Sequence, residues 1–207
     1  MTALGVRVPV LYDDERIGNW NNAARAWKAV KSGATHHVVL QDDIVLCKNF
    51  LATVTRLCEL RPKSPLTLFT MRKGTREAVE QGKHWVRVEY GVWGQATVLP
   101  TPLIPQMFRW NEKNVEPDFK YDDARISLWL EHHRIPAFAP APNIVEHLDE
   151  KSVLGHHTPL PRKSRLFIGE NTDGLSIDWT KGLDDPLTER LANMSQTYSK
   201  HLILEEK

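Results

Sequence analysis

Two pairs of adjacent carboxylates are the groups of this chain best suited to chemistry: Asp42 and Asp43 in HHVVLQDDIVLC, and Asp122 and Asp123 in KYDDARISLWL. Neighbouring carboxylates repel unless donors or a cation compensate. The first pair ends an apolar run, and Ile44, Val45 and Leu46 follow at once. A hard divalent cation such as magnesium or manganese, which prefers oxygen ligands, would relieve the repulsion there. The second pair opens a helical pattern, where one carboxylate can cap the helix while the other accepts a proton. Aspartate is also an ordinary turn former and N-cap, so a purely structural reading stands beside the chemical one for both pairs.

The elements that must position these residues can be read from periodicity. Val6 to Tyr12 reads as a strand ending in the polar turn Asp13-Asp14-Glu15. Trp20, Ala23, Ala24, Trp27 and Val30 recur at helical spacing, bounded by Gly18 or Asn19 before and Gly33 after. HHVVL reads as a strand, and Phe50, Leu51, Val54, Leu57 and Cys58 as a helix ending before Pro62. Leu66 to Thr70 and His84 to Val88 are strand candidates, and the charged segment Lys73 to Lys83 between them is expected on the surface.

ATVL is strand-like, and Thr101 with Pro102 opens a helix. Asp122 caps another helix through His133, with Ile126, Trp129, Leu130 and His133 on one face. The prolines of IPAFAPAPNIVEH predict extended chain or an edge strand rather than a central one. Leu154 to Asp178 is expected to be loop-rich, and Asp185-Pro186 to open a terminal helix that docks through Leu187, Leu191, Met194 and Tyr198. Strands alternating with helices give an α/β fold: one domain, a mixed sheet flanked by helices, a C-terminal helix, and ligands at the carboxyl ends of strands.

Composition narrows the function classes. The 207 residues are 41% hydrophobic and 26% charged, enough to bury a core, and 27 basic against 26 acidic side chains leave a net charge of +1. That balance gives no chain-wide footprint for a polyanion. Arg162, Lys163 and Arg165 form the one conspicuous basic cluster, read as a solvated loop or as phosphate contacts. Cys47 and Cys58 form no CxxC pair, which argues against a disulfide framework and fits a reducing, cytoplasmic setting. No apolar run reaches the length of a membrane span or a signal peptide core.

Placed in order, these segments resemble the glycosyltransferases of the GT-A fold, over about Val6 to Gly155. In that family an apolar strand ends in a short acidic DxD-type motif that holds a divalent metal against the diphosphate of a nucleotide sugar. Here the motif is Gln41-Asp42-Asp43, with Gln41 where a strict match has a first carboxylate. The resemblance implies a GT-A-like (Rossmann-like) core over residues 1–155, with residues 156–207 as a loop-rich segment and terminal helix packed on it. It also implies that the usual first strand and helix are missing ahead of VRVPVLY, through a shortened chain or a start inside a longer reading frame.

The same resemblance assigns roles. Asp13 in YDDERIG corresponds to a nucleotide-contacting acidic turn, and Asn22 and Arg25 to a helix that approaches the nucleotide, where Arg25 could grip phosphate. YGVWGQA corresponds to a loop lining the sugar and acceptor pocket: Gly91 and Gly94 would allow close backbone approach, Trp93 would offer a flat face, and Gln95 completes the loop. Of the second acidic pair, Asp122 takes the role of base toward the acceptor hydroxyl and Asp123 that of capping or positioning, the reverse being an open alternative. His147 in NIVEHLD would join Asp42 and Asp43 on the metal. The doubled histidines His36/His37, His132/His133 and His156/His157 show no HExxH spacing and are read as structural or surface residues.

The implied function is metal-dependent transfer of a sugar, with Mn2+ or Mg2+ as the cation and a UDP-sugar as donor, to an acceptor hydroxyl on a glycan, a protein or a modified nucleic acid. Two other classes stand beside it. One is a non-catalytic GT-A-like binding or assembly module. The other is a metal-dependent nucleotidyl or phosphoryl transferase in which Asp13, Asp42 and Asp122 would converge on two ions about 4 Å apart.

Overall fold

The computed structural model describes residues 8–148, 162–190 and 193–203. The sheet is assembled from short strands. β1 (His36–Leu40), β3 (Leu66–Thr67), β4 (Trp85–Glu89), β5 (Ala96–Pro100), β6 (Ala137–Pro140) and β8 (Leu187–Arg190) form one mixed sheet in the order β1-β5-β3-β6-β4-β8. It is buried along β3, β5 and β6 and alternates in exposure on β8. β3 runs parallel to β6 and β8 parallel to β4, while the remaining pairings are antiparallel. A separate two-stranded sheet pairs β2 (Ile44–Leu46) with β7 (Val145–His147).

The two faces of the sheet follow strand alternation. On β5, Val98 points into a core with Leu57, Leu66 and Phe138, on the side of α2 (Phe50–Leu60), while Leu99 points into a second core with Trp27, Met107, Ile126 and Trp129. That second layer is built from α1 (Asn19–Lys28), α4 (Leu103–Asn114) and α5 (Asp122–His132). The chain is therefore a single-domain α/β fold with a mixed sheet between helices. Among the described residues no helix is long and apolar enough to cross a membrane.

Four elements differ from what periodicity predicts. Of the expected strand Val6 to Tyr12, residues 8–12 belong to no strand among the described residues; Pro9 lacks a ladder donor, and Val10 and Tyr12 are 56% and 68% exposed. Val6 and Arg7 lie outside the described residues. The segment Lys73 to Lys83 holds a helix, α3 (Gly74–Glu80), whose Gly74, Thr75 and Ala78 are buried against the sheet. The proline-punctuated strand β6 lies inside the sheet between β3 and β4. Pro136 precedes the strand and Pro140 is its last residue, in register with Trp85, so neither proline interrupts Ala137 to Ala139.

At the C-terminus, Leu187–Arg190 is a strand and not the start of a helix. The open side of β4 offers backbone partners in register from Val86↔Leu187 to Glu89↔Arg190, and Arg190 Nε meets Glu89 Oε2 at 2.8 Å. The C-terminal helix itself is present and short, α6 (Met194–Thr197). Asn193 caps it, the Glu131 carboxylate accepts its Met194 and Ser195 N–H groups, and Met194 and Tyr198 dock beside Phe119 and Leu128. Leu191 lies outside the described residues, as do His156 and His157. The C-terminal segment does more than cover the core, since β8 extends the sheet and Trp179 is buried in the α2-side layer.

Candidate functional site

The acidic pair Asp42-Asp43 sits where the chain leaves the large sheet for the small one. Gln41 N donates to Gln95 O at 3.0 Å, the last link of the β1–β5 ladder, and β2 begins at Ile44. The pair is thus not a helix start. α2 begins at Phe50, seven residues after Asp43 and behind Asn49, which adopts a left-handed φ of 57°, so helix capping does not explain the aspartates.

Asp42 is exposed, whereas Asp43 is turned inward. Asp43 Oδ2 lies 3.1 Å from His147 Nε2, and the Asp43 side chain is 30% exposed while that of His147 is fully buried. Antiparallel pairing of β2 with β7 brings the two residues together: Ile44 is in register with His147, and Leu148 N donates to Asp43 O at 2.9 Å. The imidazole is backed by Phe69, ring centroids 6.2 Å apart, and Lys163 Nζ donates to the His147 carbonyl. Asp43 Oδ1 is buried with no hydrogen-bond partner among the described residues. An unpartnered carboxylate oxygen beside an imidazole nitrogen is a donor set suited to a divalent cation. Among the described residues no group of three or more His, Cys, Asp or Glu side chains converges as a metal site. Asp13, Asp42 and Asp122 therefore do not form the carboxylate cluster that a two-ion nucleotidyl transferase would need.

The second acidic pair opens α5. Tyr121 occupies the N-cap position, so Asp122 is the first helical residue rather than the cap. Both carboxylates lie in the first turn, where the helix dipole favours negative charge. Asp122 is 7% exposed, and Asn19 Nδ2 donates to its Oδ1 at 3.1 Å. Burial pushes the Asp122 carboxyl above the usual carboxylate range, against the opposing pull of the Asn19 and backbone donors. Asp123 is pushed up to about 7 by burial and by the charge of Asp122, although the N–H groups of Ala124 and Gly94 favour its ionised form. Ala124 N donates to Asp123 Oδ1 at 2.8 Å, which fits a positioning role for this residue. The pair therefore holds its last proton near neutrality.

The loop Tyr90 to Gln95 connects the two pairs. It is fixed from three sides: Val92 N donates to Ser127 Oγ at 3.1 Å, Trp93 N to Thr67 Oγ1 at 3.2 Å, and Thr97 Oγ1 to Trp93 O at 2.8 Å. Its one left-handed residue is Tyr90, φ 64°, and not either glycine. Gly94 matters for space instead. A Cβ there would lie 2.9 Å from Gln41 Nε2 and 3.6 and 3.7 Å from the two Asp122 carboxylate oxygens. Glycine lets the Gln41 amide and the Asp122 carboxylate both close in on the space that a side chain at this position would occupy. Trp93 is half-buried and packs on the core, Gly91 is buried, and Gln95 is buried with its Oε1 unpartnered among the described residues.

No family model matches the chain, and no curated protein matches it in sequence. The arrangement of its own residues is what bears on function. On the far side of Asp122, the carboxylate of Asp13 is engaged by its own loop, accepting Ile17 N at 2.7 Å and Gly18 N at 3.2 Å. Asn22 and Arg25 tie α1 to the preceding segment, through Asn22 Nδ2 to Leu11 O at 3.2 Å and Arg25 Nη1 to Tyr12 O at 3.3 Å. Arg25 is exposed. The fold thus brings together Gln41, Gly94, Asp122 and Asp123, and separately Asp43 with His147 at the other end of the acidic junction. Asp13, Asn22 and Arg25 form a flanking loop-and-helix unit.

Asn19, Thr67, Phe69 and Ser127 also belong to the site and carry no motif. Asn19 looked like a helix-start residue, and the other three are strand-end or helix residues whose partners lie far along the chain.

Proposed function

We propose that this chain is a divalent-metal-dependent glycosyltransferase of GT-A type that moves a sugar from a nucleoside-diphosphate sugar, a UDP-sugar first, to an acceptor hydroxyl. The carrying observation is the contact of Asp43 with His147, 3.1 Å, at the junction whose preceding residue Gln41 abuts Gly94 and, through it, Asp122. An anion-compensating centre and a proton acceptor flanking one glycine-lined surface are the two functions that displacement at an anomeric carbon requires.

Asp43 and His147 would hold Mn2+ or Mg2+, with Asp42 beside them. The cation supplies charge compensation for the diphosphate as it departs. Asp122 accepts the proton of the acceptor hydroxyl while that oxygen bonds to the anomeric carbon. The bond from that carbon to the phosphate oxygen breaks, and its electron pair leaves with the nucleoside diphosphate. This is an inverting single displacement. Asp123 holds the Ala124 N–H, and burial keeps Asp122 a stronger base than an isolated carboxylate. Gln41, Gly94 and Gln95 would line the donor sugar, with Trp93 at its edge.

The test is release of nucleoside diphosphate from a panel of nucleotide sugars with Mn2+ or Mg2+, in wild type and in Asp43→Ala and Asp122→Asn. Turnover that needs metal and is lost in both variants supports the reading. A folded protein that binds nucleotide sugars but turns none over would favour a binding module, and turnover unchanged in Asp122→Asn would remove that residue from the mechanism.

A further inference from the structure

Asn19 is the first residue of α1 and sits far from α5 in sequence, yet its amide donates to Asp122 Oδ1 at 3.1 Å in a part-buried setting. The turn that delivers it is closed on itself. Asp13 accepts Ile17 N and Gly18 N, Arg16 N donates to Asp13 O at 3.0 Å, and Asn21 Nδ2 donates to Ile17 O at 2.8 Å. Gly18, with φ 92°, makes the sharp entry into α1 that points Asn19 at α5. We infer that Asn19 is a positioning residue for the carboxylate of Asp122, and that the Asp13 turn sets its position, so that the donor-side loop and the proton acceptor act as one unit. This deepens the function proposed above and rests on it.

The chemistry of the contact gives the residue a specific role. An amide N–H donor favours the ionised carboxylate and fixes the plane of its oxygens, leaving the second oxygen to take a proton. The groups facing Asp122 are few. Asp123 is its charged neighbour on α5, with Tyr198 of the C-terminal segment beside Asp123. Asn19 from α1 and Gln41 across Gly94 are both uncharged. The guanidinium of Arg125, on the same helix, is occupied by the carbonyls of Glu116, Pro117 and Phe119. Asn19 is thus the side-chain donor that supports ionised Asp122 among the described residues.

The test is Asn19→Leu, close to asparagine in shape and without the donor, with Asn19→Ser as a second variant if the first does not fold. The carboxyl carbon of Asp122 is followed by NMR across pH in the whole chain, beside the pH dependence of kcat and of KM for the donor. The expected result is an upward shift of the Asp122 titration by about one pH unit, a matching shift in the rising limb of kcat, and KM changed less than kcat. Asp13→Asn should shift it the same way by less, and Asn19→Gln should recover part of the wild-type behaviour. An unchanged Asp122 titration in a folded Asn19 variant overturns the inference. Absence of transfer by the wild type overturns the proposed activity and leaves the titration to decide Asn19 independently.

Discussion

Asp43 Oδ2 and His147 Nε2 stand 3.1 Å apart because β2 and β7 pair antiparallel, placing a half-buried carboxylate against a fully buried imidazole. The contact closes the small sheet and leaves Asp43 Oδ1 buried without a partner among the described residues. His147→Ala should remove packing on Phe69 as well as the polar contact, costing about 2–4 kcal/mol in urea unfolding. A loss under about 0.5 kcal/mol, the range of an ordinary surface substitution, would show that the contact contributes nothing to the fold.

Nucleoside diphosphate with Mn2+ should raise the melting temperature of the wild type beyond either alone. At a hundredfold excess over Kd the gain corresponds to about 2.7 kcal/mol. Asp43→Ala should lose the metal-linked part and keep any binding due to nucleotide alone. Metal-linked stabilisation undiminished in that variant would move the cation elsewhere.

Asp123 gives a pH dependence with a defined sign. Its carboxyl lies at about 7 in the folded chain against an ordinary value of 3.8. Between these values the folded state keeps a proton that the unfolded chain has released, so this group's contribution is full below the lower value and lost as pH rises through about 7. Melting temperatures at pH 5 and pH 8 should differ less in Asp123→Asn than in wild type. Transfer runs the other way and should rise with pH through neutrality, because the base must be ionised. Equal pH slopes in wild type and variant would contradict the assignment.

Gly94→Ala places a methyl 2.9 Å from Gln41 Nε2. The Gln41 side chain can yield, so stability should fall by about 1 kcal/mol or less. Displacing that amide should still lower kcat about tenfold by disturbing the surface between Gln41 and Asp122. Activity retained in Gly94→Ala and Gly94→Val would show that the close approach is not used.

Thr67 is buried on β3, accepting from Trp93 N and donating to Phe69 O at 2.9 Å. Thr67→Val keeps the shape and strands the Trp93 N–H, which should cost about 1–3 kcal/mol. Amide exchange measured by mass spectrometry should speed up across residues 90–95 and not across α2. Uniform exchange in both segments would place the loop's stability elsewhere.

The helices were legible from an apolar stripe or a start signal: α1, α2 and α5 lie close to where Trp27, Val54 and Trp129 predict them, and α4 follows the Thr101-Pro102 start. Local pattern failed where a backbone found a distant partner. Leu187 begins a helical spacing that runs on through Leu191, Met194 and Tyr198, but Leu187 to Arg190 lies beside the open side of β4, and the ladder there outweighs propensity. IPAFAPAPNIVEH was expected as extended chain or an edge strand for its prolines, yet Pro136 lies before the paired stretch and Pro140 at its last position.

By itself the sequence determined an α/β chain with alternating apolar elements, two doubled aspartates and His147, because those signals depend on residue type and short-range period. Only the tertiary structure decided that Asp43 meets His147, that Gly94 separates Gln41 from Asp122, and that Asn19 reaches Asp122. Each of these contacts joins residues distant along the chain. Their distances are set by strand register and helix packing, which no local spacing encodes.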